Sequence, residues 1–430
     1  MGNATVLSGD LFTNLITAAV QTWFIWFPVL SVLVFLDLWV PYIRNLSKAR
    51  AEWLLLEIKI PREILKGPKV MEQFFASIHN LRMSPGNLVE RYWLGDVSLP
   101  FSFEIVSLDG EIHFFLRTPK KFKNVLEANL YAYYPDLEIS VAEDYTKKVP
   151  KTTAELYRKG YDVWGSELIL AKEDAYPIRT YMEFETMDDY SKLDPMTTLL
   201  EILAKLKPGE QAWLQILLIP AEDKWHESGK KLVAELQKKS RVSTVIGGEE
   251  VSMVDRTPGQ VNVMKAIEAN VSKPGFYTLM RVVYVARKDV YSSGYIKGGV
   301  LGAFNQFGLQ TMNSFKHNSK IRTETSWYYA PYFFPSWRLE MRKQSILGQY
   351  RRRVMPETSF MGMYRTGGTV SHANSSVYIL NIEELATIFH FPTTLVLTAP
   401  IMQRVESKRV GPPAGLPIFG TDESKIPGFE

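Results

Sequence analysis

Residues 101–116 read FSFEIVSLDGEIHFFL, with apolar side chains at alternate positions on both sides of a central Asp109-Gly110 pair. Alternation with a period of two is typical of strands that bury one face. Asp-Gly between two such runs is a strong signal for a two-residue hairpin turn. The stretch therefore predicts two antiparallel strands joined by a tight turn.

The segments around this hairpin extend the pattern. Residues 56–60 and residues 137–141 alternate in the same way, upstream and downstream of the hairpin. Apolar residues recur at helical spacing in 71–81 and again in 122–133. The resulting order, β-α-β-β-α-β, predicts a ferredoxin-like domain in residues 51–150.

A looser copy of this order follows in residues 151–380. Strands are predicted at 176–185, 212–220, 277–286 and 377–380, and helices at 194–206, 222–236, 258–271 and 290–304. The second and third of these helices interrupt the order as an insertion. We therefore expect an α+β fold with two ferredoxin-like units, the second carrying a helical insertion. The duplication rests on element order, since no motif repeats at a fixed period.

A long uncharged segment precedes both units. The 26 residues between Asp10 and Asp37 carry no charge. A helix of roughly 20 apolar residues crosses the hydrocarbon core of a membrane. Residues 1–50 are therefore predicted to hold a single transmembrane helix, with its span from about Val20 to Val40. The alternative is a helix buried in a protein core.

The charges around this segment predict its orientation. No Lys or Arg precedes it, whereas Arg44, Lys48 and Arg50 follow it closely. Basic residues next to a span favour the cytoplasmic side. We expect a single-pass protein of the cytoplasmic membrane, in contact with membrane lipid, with its N-terminus outside and its large C-terminal part in the cytoplasm.

Motifs for catalysis and cofactor binding are missing from the sequence. No Gly-rich turn ends in Gly-Lys-Ser/Thr, no Gly-x-Ser-x-Gly elbow occurs, and there is no cysteine. The six histidines are scattered, with no pair at i, i+4. We therefore expect no enzyme activity, no cofactor and no metal site.

A stretch of aromatic and basic residues, 327–353, is the best candidate for a functional surface in the sequence. Aromatic and guanidinium groups together bind phosphate backbones and stack on bases. The candidate nucleic-acid contacts, to DNA in particular, are Trp327, Trp337, Arg338, Arg342, Arg351, Arg352 and Arg353. The alternative is a solvated or membrane-facing helix whose aromatic side chains pack on the sheet. The net charge of +4 favours this alternative.

The C-terminal part carries a resemblance to a known family. Its motifs are the run Leu380-Asn381-Ile382-Glu383-Glu384-Leu385-Ala386-Thr387-Ile388-Phe389-His390-Phe391-Pro392, the pair Ala399-Pro400, and the run Gly411-Pro412-Pro413-Ala414-Gly415-Leu416-Pro417. Together they resemble the segment that leads into the motor domain of type IV secretion and conjugation ATPases. In that family an anchored, sheet-containing region precedes a hexameric P-loop motor. None of the motor's motifs occurs here, so no catalytic residue carries over.

The resemblance implies a partner and an assembly. It implies a membrane-tethered scaffold that forms a homo-oligomer and positions a P-loop ATPase, with the motor either a separate chain or part of a longer one. Residues 381–430 are then expected to be a docking tail with an apolar helix face and an extended, proline-rich end. The candidate docking residues are Leu385, Ile388, Phe389, Pro412 and Pro413. The alternatives are a nucleic-acid-binding subunit of such a machine and, last, an enzyme with an unrecognised site.

Overall fold

The protein is described from a computed structural model. The described residues are 17, 20–61, 66–82, 87–95, 97–184, 194–222, 224–239, 241–246, 249–254, 257–328, 332–356, 375–393 and 404–405. They form an α+β fold with an apolar N-terminal helix and a large, almost entirely antiparallel sheet.

The N-terminal helix, α1, extends from Trp23 to Arg50 and contains Pro28 and Pro41. Its side chains are mostly exposed, and Ile43 is the buried residue. A helix buried in a protein core would be covered along its length, so the core-helix alternative does not apply to α1.

The first half of the body begins directly after α1 and has the predicted order of elements. These are β1 (Trp53–Pro61), α2 (Pro68–His79), β2 (Phe101–Leu108), β3 (Glu111–Pro119), α3 (Lys123–Tyr133) and β4 (Glu138–Val141). A π-helical turn at Glu90–Leu94 lies between α2 and β2. Asp109 and Gly110 both have positive φ, as the predicted two-residue hairpin turn requires.

The second half is longer and more elaborate. Its elements are α4 (Thr153–Arg158), β5 (Tyr161–Leu170), α5 (Tyr181–Phe184), α6 (Thr197–Ala204), β6 (Glu210–Pro220), α7 (Lys224–Lys239), β7 (Arg241–Ile246), β8 (Glu249–Val254), α8 (Pro258–Val271), β9 (Gly275–Arg287), α9 (Ser293–Asn305), β10 (Phe315–His317), α10 (Pro335–Arg352), β11 (Tyr378–Asn381), α11 (Ile382–Ile388) and β12 (Arg404–Val405). The predicted helical insertion is present as α7 and α8, with the hairpin β7–β8 between them.

The strand predicted at 176–185 is wrong. The first strand of this half is β5, whose apolar pattern is interrupted by Gly165, Ser166 and Glu167 although all three are buried. The chain around residues 178–181 is instead held by side chains of α11. The backbone N–H of Ile178 donates to Glu384 Oε1 at 2.9 Å, and that of Tyr181 donates to Thr387 Oγ1 at 2.9 Å.

One sheet runs through both halves. Its main path is β10-β5-β9-β6-β2-β3-β1-β12, with β4 also paired to β1 and β11 to β9, and every pair is antiparallel except β1–β12. The second strands of the two halves meet, because β2 pairs with β6 from Phe101↔Leu218 to Leu108↔Gln211. The boundary predicted near residue 150 therefore does not separate two sheets.

Helices cover both faces of the sheet. On one face, α2, α3, α6, α9 and α11 bury the main apolar core. On the other face, α10 and the chain around Tyr145 bury a smaller one, which includes Trp213 and Tyr350. β10, which pairs with the outer side of β5, takes the place predicted for the strand at 377–380. That predicted strand, β11, pairs instead with the beginning of β9.

Candidate functional site at the N-terminal helix

One helix among the described residues is long and apolar enough to cross a membrane. It is α1, whose most apolar 18-residue window has a mean hydropathy of 2.0 and is 0% buried. From Trp23 to Val40 the helix rises by about 26 Å, close to the ~30 Å thickness of the hydrocarbon core. The N-terminal helix is thus compatible with single-pass membrane insertion.

The basic residues predicted to flank the span lie on the same helix. Lys48 and Arg50 lie in the last turn of α1, and Arg44 lies one turn earlier. Only Ala51 and Glu52 separate the end of α1 from the first residue of β1. The apolar helix is therefore joined to an interior strand of the sheet by a very short connection.

The loop between α2 and β2 makes the second contact with α1. We call residues 87–95 the 87–95 turn. The indole N–H of Trp39 donates to the backbone carbonyl of Tyr92 at 3.0 Å, and the rings of Trp39 and Trp93 lie 5.5 Å apart. Gly95 closes the contact at φ +72°, and a Cβ there would lie 2.6 Å from the carbonyl carbon of Ile43. Only glycine fits so close to the backbone of α1.

Apart from this contact, the 87–95 turn exposes apolar side chains. They are Leu88, Val89, Tyr92, Trp93 and Leu94, and the exposed fraction reaches 72% for Leu88 and 68% for Trp93. The turn begins locally, because the side chain of Asn87 accepts the backbone N–H of Glu90 at 2.8 Å. Sequence reasoning missed this segment. The pattern that could have indicated it is five apolar residues within seven positions, outside any predicted helix or strand.

The run of three arginines at the end of α10 is not a continuous basic surface. Arg353 is 2% exposed, and its guanidinium binds Glu104 at 2.6 and 3.0 Å and Asp144 at 2.7 and 3.2 Å. The prediction that Arg353 contacts nucleic acid is therefore wrong for the folded chain, because its donors are already bound to two carboxylates.

The buried Arg353 guanidinium is paired with carboxylates inside the fold. Burial alone raises the pKa of Glu104, but the Arg353 guanidinium outweighs it and the pKa lies below its usual value. Ser102, Tyr145 and Gln215 also donate to the Glu104 carboxylate, at 2.6, 2.8 and 3.1 Å. The cluster is thus a satisfied buried network, which fits a structural role better than a ligand site.

Two other candidate arginines bind the protein's own backbone. Arg351 donates to the carbonyls of Thr146, Val149 and Pro150, and Arg342 donates to those of Ser319, Arg322 and Glu324. These bonds join α10 to neighbouring loops, and the contact of both half-buried side chains with nucleic acid stays a prediction.

The remaining candidates lie at the surface. Arg338 is half-buried, and its guanidinium donates to the carbonyl of Ser326 at 3.3 Å. Arg352, Trp327 and Trp337 are exposed. Tyr328, Tyr332, Phe333 and Phe334 are exposed as well. The alternative in which these aromatic side chains pack on the sheet is therefore wrong, and an exposed aromatic surface remains.

The predicted docking helix belongs to the core. Leu385 and Ile388 are 0% exposed and Phe389 is 1% exposed, so their expected apolar surface is already covered. Phe389 lies 5.1 Å from the ring of Phe103 and 6.1 Å from that of Phe114. The docking role assigned to these three residues is wrong. Pro412 and Pro413 lie outside the described residues.

The described part of the chain contains no group of three or more His, Cys, Asp or Glu side chains that could hold a metal ion. His390 and Asp194 form a buried pair, with His390 Nε2 3.0 Å from Asp194 Oδ1. Asp194 also accepts the backbone N–H groups of Met196 and Thr393. This pair ties the end of α11 to the start of α6.

Comparison with known proteins gives one family. Residues 41–314 match a family model described as "Domain of unknown function (DUF8128)". The match begins in α1 at Pro41, includes the 87–95 turn, and continues through β9 to the residue before β10. It thus includes strands of both halves. No curated protein matches the chain.

Proposed function

We propose that this chain, which belongs to the DUF8128 family, is a membrane-tethered scaffold that holds its α+β body close to the bilayer surface. The observation that carries the proposal is the double connection between anchor and body. Two residues join α1 to β1, and Gly95 packs against the backbone of α1 at Ile43. A flexible tether needs neither contact, whereas a scaffold that presents a fixed surface benefits from both.

The orientation proposed for this scaffold follows from charge. Arg44, Lys48 and Arg50 lie between the apolar part of α1 and the body. Basic residues at this position favour the cytoplasmic face of the cytoplasmic membrane. The N-terminus is then outside. A reporter that is active only in the cytoplasm, fused after Glu430, is expected to be active, and activity of an export-dependent reporter at that position contradicts the orientation.

The architecture proposed for the body is a duplicated ferredoxin-like unit. In the first half the strand order is β4-β1-β3-β2, and in the second it is β10-β5-β9-β6. In both halves the spatial order of strands across the sheet is fourth, first, third, second, counted along the chain, and two helices lie on one face. Because β2 pairs with β6, the two units are arranged head to head in one sheet.

The partner proposed for the scaffold is a P-loop motor ATPase, in a homo-oligomeric assembly of the type IV secretion or conjugation kind. The resemblance of residues 380–417 supports this partner. The surface offered to it differs from the one expected from sequence, because α11 is buried. We propose instead that the motor contacts the exposed aromatic residues between Trp327 and Trp337.

The test is capture of the motor by the full chain in membranes. We expect a P-loop ATPase to co-purify with the wild type and to be lost from the double variant Trp327→Ser, Trp337→Ser. The matched control is the double variant Tyr131→Ser, Tyr277→Ser, which removes two exposed aromatic rings of the body. If the wild type captures no ATPase, the partner is wrong; if both double variants capture it equally, the surface is wrong.

Nucleic-acid binding is the second candidate, and exposure of Trp327, Trp337 and Arg352 favours it. Aromatic rings stack on bases, and phosphate contacts make binding depend steeply on salt. We expect this alternative to show DNA binding that falls with salt and is lost from the same Trp327→Ser, Trp337→Ser variant. Binding that is insensitive to both salt and variant contradicts it.

A further inference from the structure

The 87–95 turn lies beside α1 where the apolar span ends. Asp37 is the first charged residue after the apolar segment, and Arg44 follows within two turns. The contact residues on α1, Trp39 and Ile43, lie between these two charges or next to them. This part of the helix therefore corresponds to the boundary between hydrocarbon and headgroups.

The composition of the turn suits that boundary. Trp and Tyr are enriched at membrane interfaces because an apolar ring and a polar N–H or O–H are both satisfied there. Tyr92 and Trp93 supply such rings, and Leu88, Val89 and Leu94 supply purely apolar groups. On α1 itself, the ring of Trp39 lies 5.7 Å from Phe35 and 6.0 Å from Tyr42. The turn thus continues an aromatic surface that starts on the span.

Lipid is the occupant favoured for this surface by its continuity with α1. The lipid-facing residues of the span and the exposed residues of the turn meet at the Trp39–Trp93 contact. A surface that is continuous with a membrane-spanning helix at the Trp39–Trp93 contact is adjacent to the same lipid. An exposed apolar patch of this kind is otherwise unfavourable in water.

We propose that the 87–95 turn enters the interfacial layer of the bilayer that α1 crosses, as a second lipid contact of the chain. This inference rests on the proposed membrane anchoring. Two contacts, one spanning and one interfacial, restrict the tilt of the body relative to the membrane. Gly95 fixes the geometry, because it holds the turn against the backbone of α1.

The test uses the absence of cysteine from the sequence, which allows single-cysteine variants of the full chain. Trp93→Cys and Leu94→Cys are labelled with an environment-sensitive fluorophore and reconstituted into phosphatidylcholine–phosphatidylglycerol vesicles. A fraction of the lipid carries a quencher near the headgroup. Leu94→Cys is included because it leaves the Trp39–Trp93 contact in place.

Two controls separate the inference from the anchoring on which it rests. Phe35→Cys reports insertion of the apolar part of α1, and Lys159→Cys reports an exposed site on the body. Each variant is first required to melt like the wild type. We expect lipid quenching at 93 and 94 to be within about two-fold of that at 35, since Trp at an interface lies near the acyl boundary, and to be negligible at 159.

Each outcome decides a separate claim. If position 35 is quenched but 93 and 94 behave like 159, the 87–95 turn lies outside the bilayer and the inference is overturned. If position 35 itself is not quenched, the anchor is not inserted, and the proposed membrane tethering fails together with the inference.

Discussion

Two short apolar helical stretches of this chain end in opposite environments. Residues 88–94 read LVERYWL and are largely exposed beside α1, whereas residues 382–391 read IEELATIFHF and are buried. From the sequence alone, only the second is predicted to be a surface for a partner. The difference shows that an apolar pattern identifies a face that must be covered and leaves open what covers it.

Long-range hydrogen bonds and packing explain the difference. α11 follows β11 directly, so the pairing of β11 with β9 carries it over the main core. There Glu384 and Thr387 accept backbone N–H groups from the chain before α6, and Phe389 packs on strands β2 and β3. In the described part of the chain, the 87–95 turn contacts α1 through the Trp39 hydrogen bond and the Trp39–Trp93 ring pair.

The first prediction concerns Phe389, whose removal is expected to have the largest effect. Phe389→Ala is expected to lower the free energy of unfolding by about 3–5 kcal/mol, the usual cost of emptying an aromatic position in a core. The matched control is Phe333→Ala, since Phe333 is 62% exposed and its loss leaves no cavity. Chemical denaturation of the full chain in detergent measures both. Equal stability of the two variants would mean that α11 does not belong to the core.

The second prediction concerns the buried ion pair. Arg353→Met leaves the Glu104 carboxylate buried without its cation and is expected to cost about 3 kcal/mol, at the low end for a broken buried pair because Asp144 remains partly solvated. The double variant Glu104→Gln, Arg353→Met removes both charges, keeps an amide oxygen as acceptor for the buried donors, and is expected to regain most of that stability. If the double variant is less stable than the single one, the pair is not the source of the loss.

Local signals explain what the sequence predicts well. The helix predicted at 258–271 is found at Pro258–Val271, because Pro258 occupies its first turn and Thr257 forms a capping box with Gln260. The Asp109-Gly110 turn likewise depends only on residues next to it in the chain. Such features depend on neighbours within a few positions.

Distant partners explain what the sequence leaves open. Arg351, Arg352 and Arg353 are consecutive and chemically identical, yet the first caps backbone carbonyls, the second is exposed, and the third is buried. The carboxylates that bind Arg353 lie 249 and 209 residues earlier in the chain. No pattern within the basic run itself distinguishes these three roles. The 87–95 turn is comparable, since its partner Trp39 lies 53 residues before Tyr92.

The third prediction concerns pH and the buried stretch. Burial raises the pKa of Glu384 to about 8, and Asp174 adds to the shift while Lys273 and two backbone N–H groups oppose it. A carboxyl whose pKa is higher in the folded than in the unfolded state binds its proton more tightly when folded. Its contribution to stability is therefore present below pH 4.5, its ordinary pKa, and is lost as pH rises towards about 8.

Glu384→Gln tests this sign. The wild type is expected to lose about 3–4 kcal/mol of stability between about pH 5 and pH 8 through this group, and the variant is expected to lack that slope. Denaturation at several pH values measures the slope independently of the absolute stability. The outer carboxyl Glu155, which is exposed, provides the matched control as Glu155→Gln. A slope that is unchanged in Glu384→Gln contradicts the raised pKa.

The fourth prediction, with the smallest expected effect, returns to the exposed stretch. Trp93→Ser is expected to change the free energy of unfolding in detergent by less than about 1 kcal/mol, because an exposed ring leaves no cavity when it is removed. The hydrogen bond from Trp39 survives the substitution, since its acceptor is the backbone carbonyl of Tyr92. The two losses of stability, from Phe389→Ala and from Trp93→Ser, therefore measure the difference between a stretch that the core covers and a stretch that is exposed. A loss as large as that of Phe389→Ala would place Trp93 in the packed interior and remove the lipid-facing surface from the 87–95 turn.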